Sequence, residues 1–270
     1  MNFDVTHIVI RERGFAEIMD LALKVVRAHL PSLLFCGLLG AAPWAIVNGL
    51  LLNGLVDVLD LEENAFFFVY YMLLLVTVQT PLATAPITLY LGQVTFLEKT
   101  DSQRIFSDFV RSLPQMLVHT VVRGLLALTF FGLMLPYGFR PYISELILLE
   151  RNPLFAGQDK RMTTARRSRN LHNSAGGDLF GNWMASLAVG ALLLASLMLG
   201  IYLACQQLAG HTPSPLEVLI YCLPVSAWLV VEFFAIVRFL SYLDLRIRRE
   251  GWEVELKMRS EAARLAKGIM

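Results

Sequence analysis

The stretch Glu145–Trp183, ELILLERNPLFAGQDKRMTTARRSRNLHNSAGGDLFGNW, is the longest polar interval in a strongly apolar chain. It carries Arg151, Lys160, Arg161, Arg166, Arg167 and Arg169, opposed beyond Glu150 only by Asp159 and Asp178. Lys and Arg near membrane helices collect on the cytoplasmic side. The side this segment occupies, and the number of crossings before and after it, therefore decide the topology.

Composition supports that reading. The 270 residues are 56% hydrophobic and 17% charged, against roughly 45–50% and about 25% in soluble domains, and mean hydropathy is +0.57. Apolar runs of about 20 residues, enough for a hydrocarbon layer of roughly 30 Å, recur along the chain. The fold class expected is all-α, a polytopic membrane helix bundle of six transmembrane helices, with five as the competing count and an N-terminal amphipathic interfacial helix. A net charge of +1 decides nothing, because acidic and basic residues sit in different loops. Cys36, Cys205 and Cys222 lie inside apolar segments without C-x-x-C spacing, which argues against a disulfide framework and a zinc site. The lone His119 and His172 have no ligand partner at metal spacing. No metal, no cofactor and no nucleic acid is expected, and no catalytic motif appears.

Residues 1–29 read as a cytoplasmic segment. From Gly14 to Leu30, Phe15, Ile18, Met19, Ala22, Val25 and Val26 recur at helical spacing, with Glu17, Asp20, Lys24 and Arg27 opposite. Such a helix lies in the interface plane or packs on the protein's own cytoplasmic side. The first apolar run, beginning at Leu30, reads as a retained membrane helix rather than a cleaved signal. The bundle is expected over 30–243, with spans at about 30–52, 65–96, 114–135, 137–152, 183–208 and 216–243. In the first span Gly37, Ala41, Ala45 and Gly49 fall at intervals of four, a small-residue face for close helix packing within the molecule or between copies.

Asn53–Asn64 holds Asp57, Asp60, Glu62 and Glu63 with no Lys or Arg and belongs outside. The second segment is broken by Pro81 and Pro86, and Thr77, Thr84, Thr88 and Thr95 share one face at about 100° per residue. That hydroxyl stripe either lines a polar path, as in broken transporter helices, or satisfies carbonyls that the prolines free. The basic loop 151–182 falls inside when 137–152 returns across the membrane. The charged tail 244–270 joins it there, with Arg246, Arg248 and Arg249.

Charges within spans need partners. Counting residues from the cytoplasmic helix ends puts Arg123 and Glu232 at a common depth of roughly 15 Å, and Glu145 and Arg238 at another of about 8–9 Å. Two ion pairs, Arg123 with Glu232 and Glu145 with Arg238, are expected, as interhelical links or as part of an ion or proton path.

Glu150 followed by Ala165-Arg166-Arg167-Ser168-Arg169-Asn170-Leu171 and Gly176 resembles the E…A-x-R-S-x-x-L…G signature of a membrane domain. That domain is found in some bacterial glycerophosphoryl diester phosphodiesterases and in related stand-alone multi-pass proteins. Tyr242-Leu243-Asp244-Leu245-Arg246-Ile247-Arg248-Arg249-Glu250-Gly251-Trp252 resembles the Y-x-D-x-R-x-R-x-E-G-aromatic ending of the same group. The resemblance implies a six-helix inner-membrane domain with both termini cytoplasmic. It does not bring phosphodiesterase chemistry, which belongs to a soluble barrel not found in these residues. Within this ending Asp244 precedes Arg248, and Arg246 precedes Glu250, by the four residues that form ion pairs on a helix.

The function expected is a non-enzymatic membrane scaffold or accessory subunit. Its basic cytoplasmic face, with Arg166, Arg167, Arg169, Arg246, Arg248 and Arg249, would contact anionic lipid headgroups, a protein partner or a second copy of the chain. The alternative is a small transporter or lipid-handling permease using the proline-broken helix and the buried charges. A solvent-connected cavity lined by Thr84, Thr88, Arg123 and Glu232 would favour transport.

Overall fold

The computed structural model describes residues 14–56, 61–97, 100–127, 140–153, 162–172, 176–208, 210 and 212–250. Among them there is no strand. Helix α1 is Phe15–Val56, α2 Leu61–Ala83, α3 Ala85–Phe96 and α4 Ser102–Ala127. A short α5, Ile143–Glu145, widens into a π turn over Leu146–Glu150. Helix α6 is Thr164–His172 and α7 is Gly176–Leu208. The last helix, α8, starts with the turn Pro215–Glu217, passes a π turn at Val218–Cys222 and runs on as Leu223–Glu250.

Among the described residues four helices are long and apolar enough to cross a membrane: Phe15–Leu52, Ala65–Phe96, Gly176–Leu208 and Pro215–Arg249. The other two expected spans are not among these four. Residues 114–127 belong to α4, which opens on the polar run Ser102–Ser112, and 128–135 lie outside the described residues. The helical part of 137–152 has eight residues, Ile143–Glu150, a length of about 12 Å that falls well short of the hydrocarbon core. Leu146, Ile147 and Leu148 are buried within the protein instead, Ile147 and Leu148 in one cluster with Met116, Leu82 and Leu89.

Helix α1 kinks at His29 (φ −122°, ψ 22°), two residues before Pro31, which lacks the N–H that would continue the ladder. The His29 ring lies 3.2 Å from the Tyr90 hydroxyl of α3. Of the two placements open to the apolar face before the kink, in the interface plane or on the protein itself, the helix takes the second. Ile18 and Ala22 are buried in a cluster with Leu171, Leu179, Tyr242 and Leu245. Asp20 and Lys24 stay exposed on the other face, 2.7 Å apart. The long apolar C-terminal helix supplies a larger dry surface nearby than one short helix finds at an interface.

The proline break falls at Thr84, between α2 and α3. A Cβ on Gly40 would lie 1.9 Å from the Ala83 carbonyl oxygen, so α1 reaches the break only because residue 40 has no side chain. Of the small-residue face expected on α1, Gly37 and Ala41 are packed, while Gly49 has nothing within 4 Å of a Cβ and Ala45 is exposed. Higher on the same seam, Gln79 Nε2 donates to Asn48 Oδ1 at 2.7 Å, both side chains buried. Helix α7 is different from its neighbours. Its apolar window holds no buried residue, and among the long helices its packed interface is with α8.

Candidate functional site

Where α7 stands off the bundle, a cavity of about 460 Å³ lies between α2, α7 and α8. Its α7 wall is Leu179, Asn182, Trp183, Ser186, Leu187, Gly190, Ala191 and Leu194, and its α8 wall runs from Ala227 through Val230, Val231, Phe234, Val237 and Arg238 to Ser241. Both sets step by three and four residues, the spacing of a single helix face. From Leu179 to Leu194 the wall is about 22 Å long at 1.5 Å per residue. The cavity is therefore a slot parallel to the helices. Leu73, Val76, Thr77 and Thr80 of α2 close its third side. At Gly190 a Cβ would come 3.3 Å from the Phe234 ring, so the missing side chain keeps the slot open.

Polar groups gather at one end. Arg123 of α4, Arg238 and Ser241 of α8, Tyr142 before α5 and Asn182 of α7 all reach it. His119 lies within the electrostatic reach of Arg123 and Arg238, which places the two guanidiniums in one neighbourhood. The far end, with Leu73, Leu194, Ala227 and Val230, is apolar.

Arg238 is held in place. Its Nε donates to Glu145 Oε1 at 2.6 Å and its Nη2 donates to Thr84 Oγ1 at 3.1 Å. Ser144 Oγ donates to the second Glu145 oxygen at 3.0 Å. Glu145 is fully buried, and the guanidinium ties α8 to α5 and to the α2–α3 break. Thr80, Thr84 and Thr88 donate their hydroxyls to the carbonyls of Val76, Thr80 and Thr84. Those are not the carbonyls of Thr77 and Leu82 that Pro81 and Pro86 release, four residues back. The threonines thus bond to their own helix, a pattern that bends it, and Thr84 and Thr88 are sealed from the slot.

Arg123 and Glu232 form no ion pair in this structure. The Glu232 carboxylate lies against Gly37, where a Cβ on the glycine would meet its oxygens at 2.5 and 2.8 Å. Glu232 and Arg238 are six residues apart, which puts them about 120° apart around α8 at 3.6 residues per turn. One faces α1 and the other α5, so equal depth does not bring Glu232 to Arg123.

At the basic end of the bundle a second polar cluster centres on Glu150. Arg167 of α6 donates Nε to Oε2 at 2.6 Å and Nη2 to Oε1 at 2.9 Å, a bidentate pair. The Tyr242 hydroxyl donates to Oε1 at 2.8 Å, Asn152 Nδ2 to Oε2 at 3.1 Å, and Arg246 lies 3.7 Å away. Burial by itself raises the Glu150 pKa, but hydrogen bonds from Arg167 and Tyr242 and the Arg246 charge hold it below the usual carboxylate range. Arg248 pairs with Asp244 four residues before it, through Nε at 2.8 Å. Arg246 turns to Glu150, and the Glu250 side chain lies outside the described residues. Nearby Arg151 meets Asp108 of α4. Buried His172 is bonded through Nδ1 to the Ser168 carbonyl at 2.7 Å and stacks on Tyr142. Of the basic residues expected to face lipid or a partner, Arg167, Arg246 and Arg248 are thus occupied internally, while Arg166 and Arg169 are exposed.

No family model, curated protein or solved structure matches the chain.

Sequence reading does not pick out the α7 wall. Asn182, Ser186 and Gly190, four residues apart in an apolar span, are its visible trace. Tyr142 and Ser241 carry no such mark.

Proposed function

We propose that this chain is a non-enzymatic integral membrane protein that takes one amphiphile with a phosphate-bearing headgroup, a lipid of its own bilayer, into the slot between α2, α7 and α8. The observation that carries this reading is an apolar slot about 22 Å long with Arg123 and Arg238 at one end. Pockets of about 300–1,000 Å³, mostly apolar with a few convergent polar groups, are the usual form of small-molecule sites. Glu145 and Thr84 use two of the five N–H donors of Arg238. The others remain to meet an anion in a low-dielectric setting, where charge-assisted hydrogen bonds are strong. On this reading the slot's arginine end faces the cytoplasmic leaflet of a bacterial inner membrane, with both termini cytoplasmic, a sidedness that the Lys and Arg gathered at that end support.

The test is lipid retention. Protein purified in mild detergent and measured by native mass spectrometry should keep one lipid per chain, and Gly190→Leu, which fills the slot, should lose it while melting at the same temperature. Equal occupancy in both proteins, or none in either, would end this reading. A scaffold role is favoured separately by exposed Arg166 and Arg169 on α6. It predicts a protein partner that co-purifies with the Gly190→Leu variant as well and is lost from Arg166→Glu/Arg169→Glu.

A further inference from the structure

A smaller cavity of about 200 Å³ adjoins the arginine end of the slot. Tyr142, Leu179, Asn182 and Ser241 line both cavities, so these four side chains form their common wall. Ile18 and Leu245 add apolar surface, and the remaining lining is charged: Asp178 at the start of α7, and Asp244, Arg248 and Arg249 on α8. Resting on the amphiphile reading, we infer that this chamber is a headgroup site and that the headgroup is zwitterionic, a phosphate ester carrying a primary amine.

The charge pattern selects that class. Arg248 is paired with Asp244 and Arg238 with Glu145, so a headgroup that is only anionic finds the spare donors of Arg238 but meets the carboxylate of Asp178, and one that is only cationic finds Asp178 but leaves those donors unmet. An amine-phosphate offers each sign its complement. Asp244 is buried and engaged by Arg248. Asp178 is exposed and makes no ion pair with any described residue, so it is the carboxylate available to an ammonium. The phosphate falls at the junction of the cavities, where Ser241 and Asn182 add neutral donors beside Arg238. From Asn182 to Asp178 the rise along α7 is about 6 Å, a span that a phosphate oxygen and a short two-carbon link cover. The acyl part then follows α7 away from the charged end.

The full chain is reconstituted in vesicles of equimolar phosphatidylethanolamine and phosphatidylglycerol with matched acyl chains, then extracted in mild detergent and its retained lipids counted by mass spectrometry. Wild type should enrich the ethanolamine lipid about fivefold, and Asp178→Asn should bring the ratio down about three- to fivefold, the scale of one solvent-exposed ion pair. Asp178→Glu should restore the preference. A wild-type ratio at or below one, or a ratio indifferent to Asp178→Asn, overturns the inference while leaving lipid binding intact. Failure of the amphiphile reading looks different: wild type then retains no more total lipid than Gly190→Leu, and both proposals fall together.

Discussion

Arg238 of α8 donates to the fully buried carboxylate of Glu145 at 2.6 Å, across 93 residues of sequence. The contact joins the last long helix to a short buried one and, through Thr84, to the break in the second span. Removing one partner of such a pair leaves an uncompensated charge in an apolar interior. Glu145→Gln should therefore lower stability by about 3–5 kcal/mol, whereas the double change Glu145→Leu/Arg238→Met should recover much of that loss. Thermal unfolding of Glu145→Leu, Arg238→Met and the double variant in one detergent gives the coupling directly. A double variant as unstable as the sum of the singles would contradict the ion pair's role.

The close approach of α1 to the α2–α3 break depends on residue 40. Gly40→Ala places a methyl 1.9 Å from the Ala83 carbonyl oxygen, and that backbone oxygen has no rotamer to move into. The cost should reach or exceed the range of about 1–3 kcal/mol seen for overpacked cores. Gly49 is on the same helix with nothing within 4 Å. There Gly49→Ala should be neutral or stabilising by up to about 1 kcal/mol through helix propensity. The melting temperature should fall in Gly40→Ala and stay level or rise in Gly49→Ala.

Arg167 grips Glu150 through two parallel hydrogen bonds. Lysine keeps the charge but not the fork. Arg167→Lys should loosen α6, Thr164–His172, with faster amide exchange there than in α7, because α6 is tied to α8 through Glu150 and Tyr242. Unchanged exchange across 164–172 would mean that the cluster does not hold α6.

Acid should destabilise the protein in two stages. His172 has a folded pKa lowered by burial, with the Arg140 charge adding to the effect and the Ser168 hydrogen bond opposing it. The folded state thus binds the proton less well than the unfolded chain, and stability falls as pH drops below the ordinary imidazole value of about 6.5. Glu150, held below the ordinary value of about 4.3, contributes stability above that pH and loses it as pH falls through the lower folded value. His172→Gln should remove the first stage of a melting-temperature profile and leave the second. A profile flat from pH 7 to 5 would contradict the shift at His172.

Chain order carried a large part of this structure. The all-helical membrane class and the break at the prolines follow from apolar run length and from a residue that lacks an N–H. The segregation of charge brings the basic loop and the end of α8 to one side, where Glu150, Arg167, Tyr242 and Arg246 meet. Counting residues from helix ends also put Glu145 and Arg238 at one depth. The same count fails for Arg123 and Glu232, since rise along a helix reports depth but not the direction a side chain faces.

That direction is what the tertiary structure decided. Six residues of α8 turn Glu232 to Gly37 and Arg238 to Glu145, and no count along one chain reveals which neighbour stands on each side. The slot was hidden for a related reason. Lipid-facing and cavity-facing positions of α7 are both apolar, since hydrocarbon surrounds one and should fill the other. Leu187 and Leu192 therefore look alike until α2 and α8 are set in place, and only their packing makes one of them a wall.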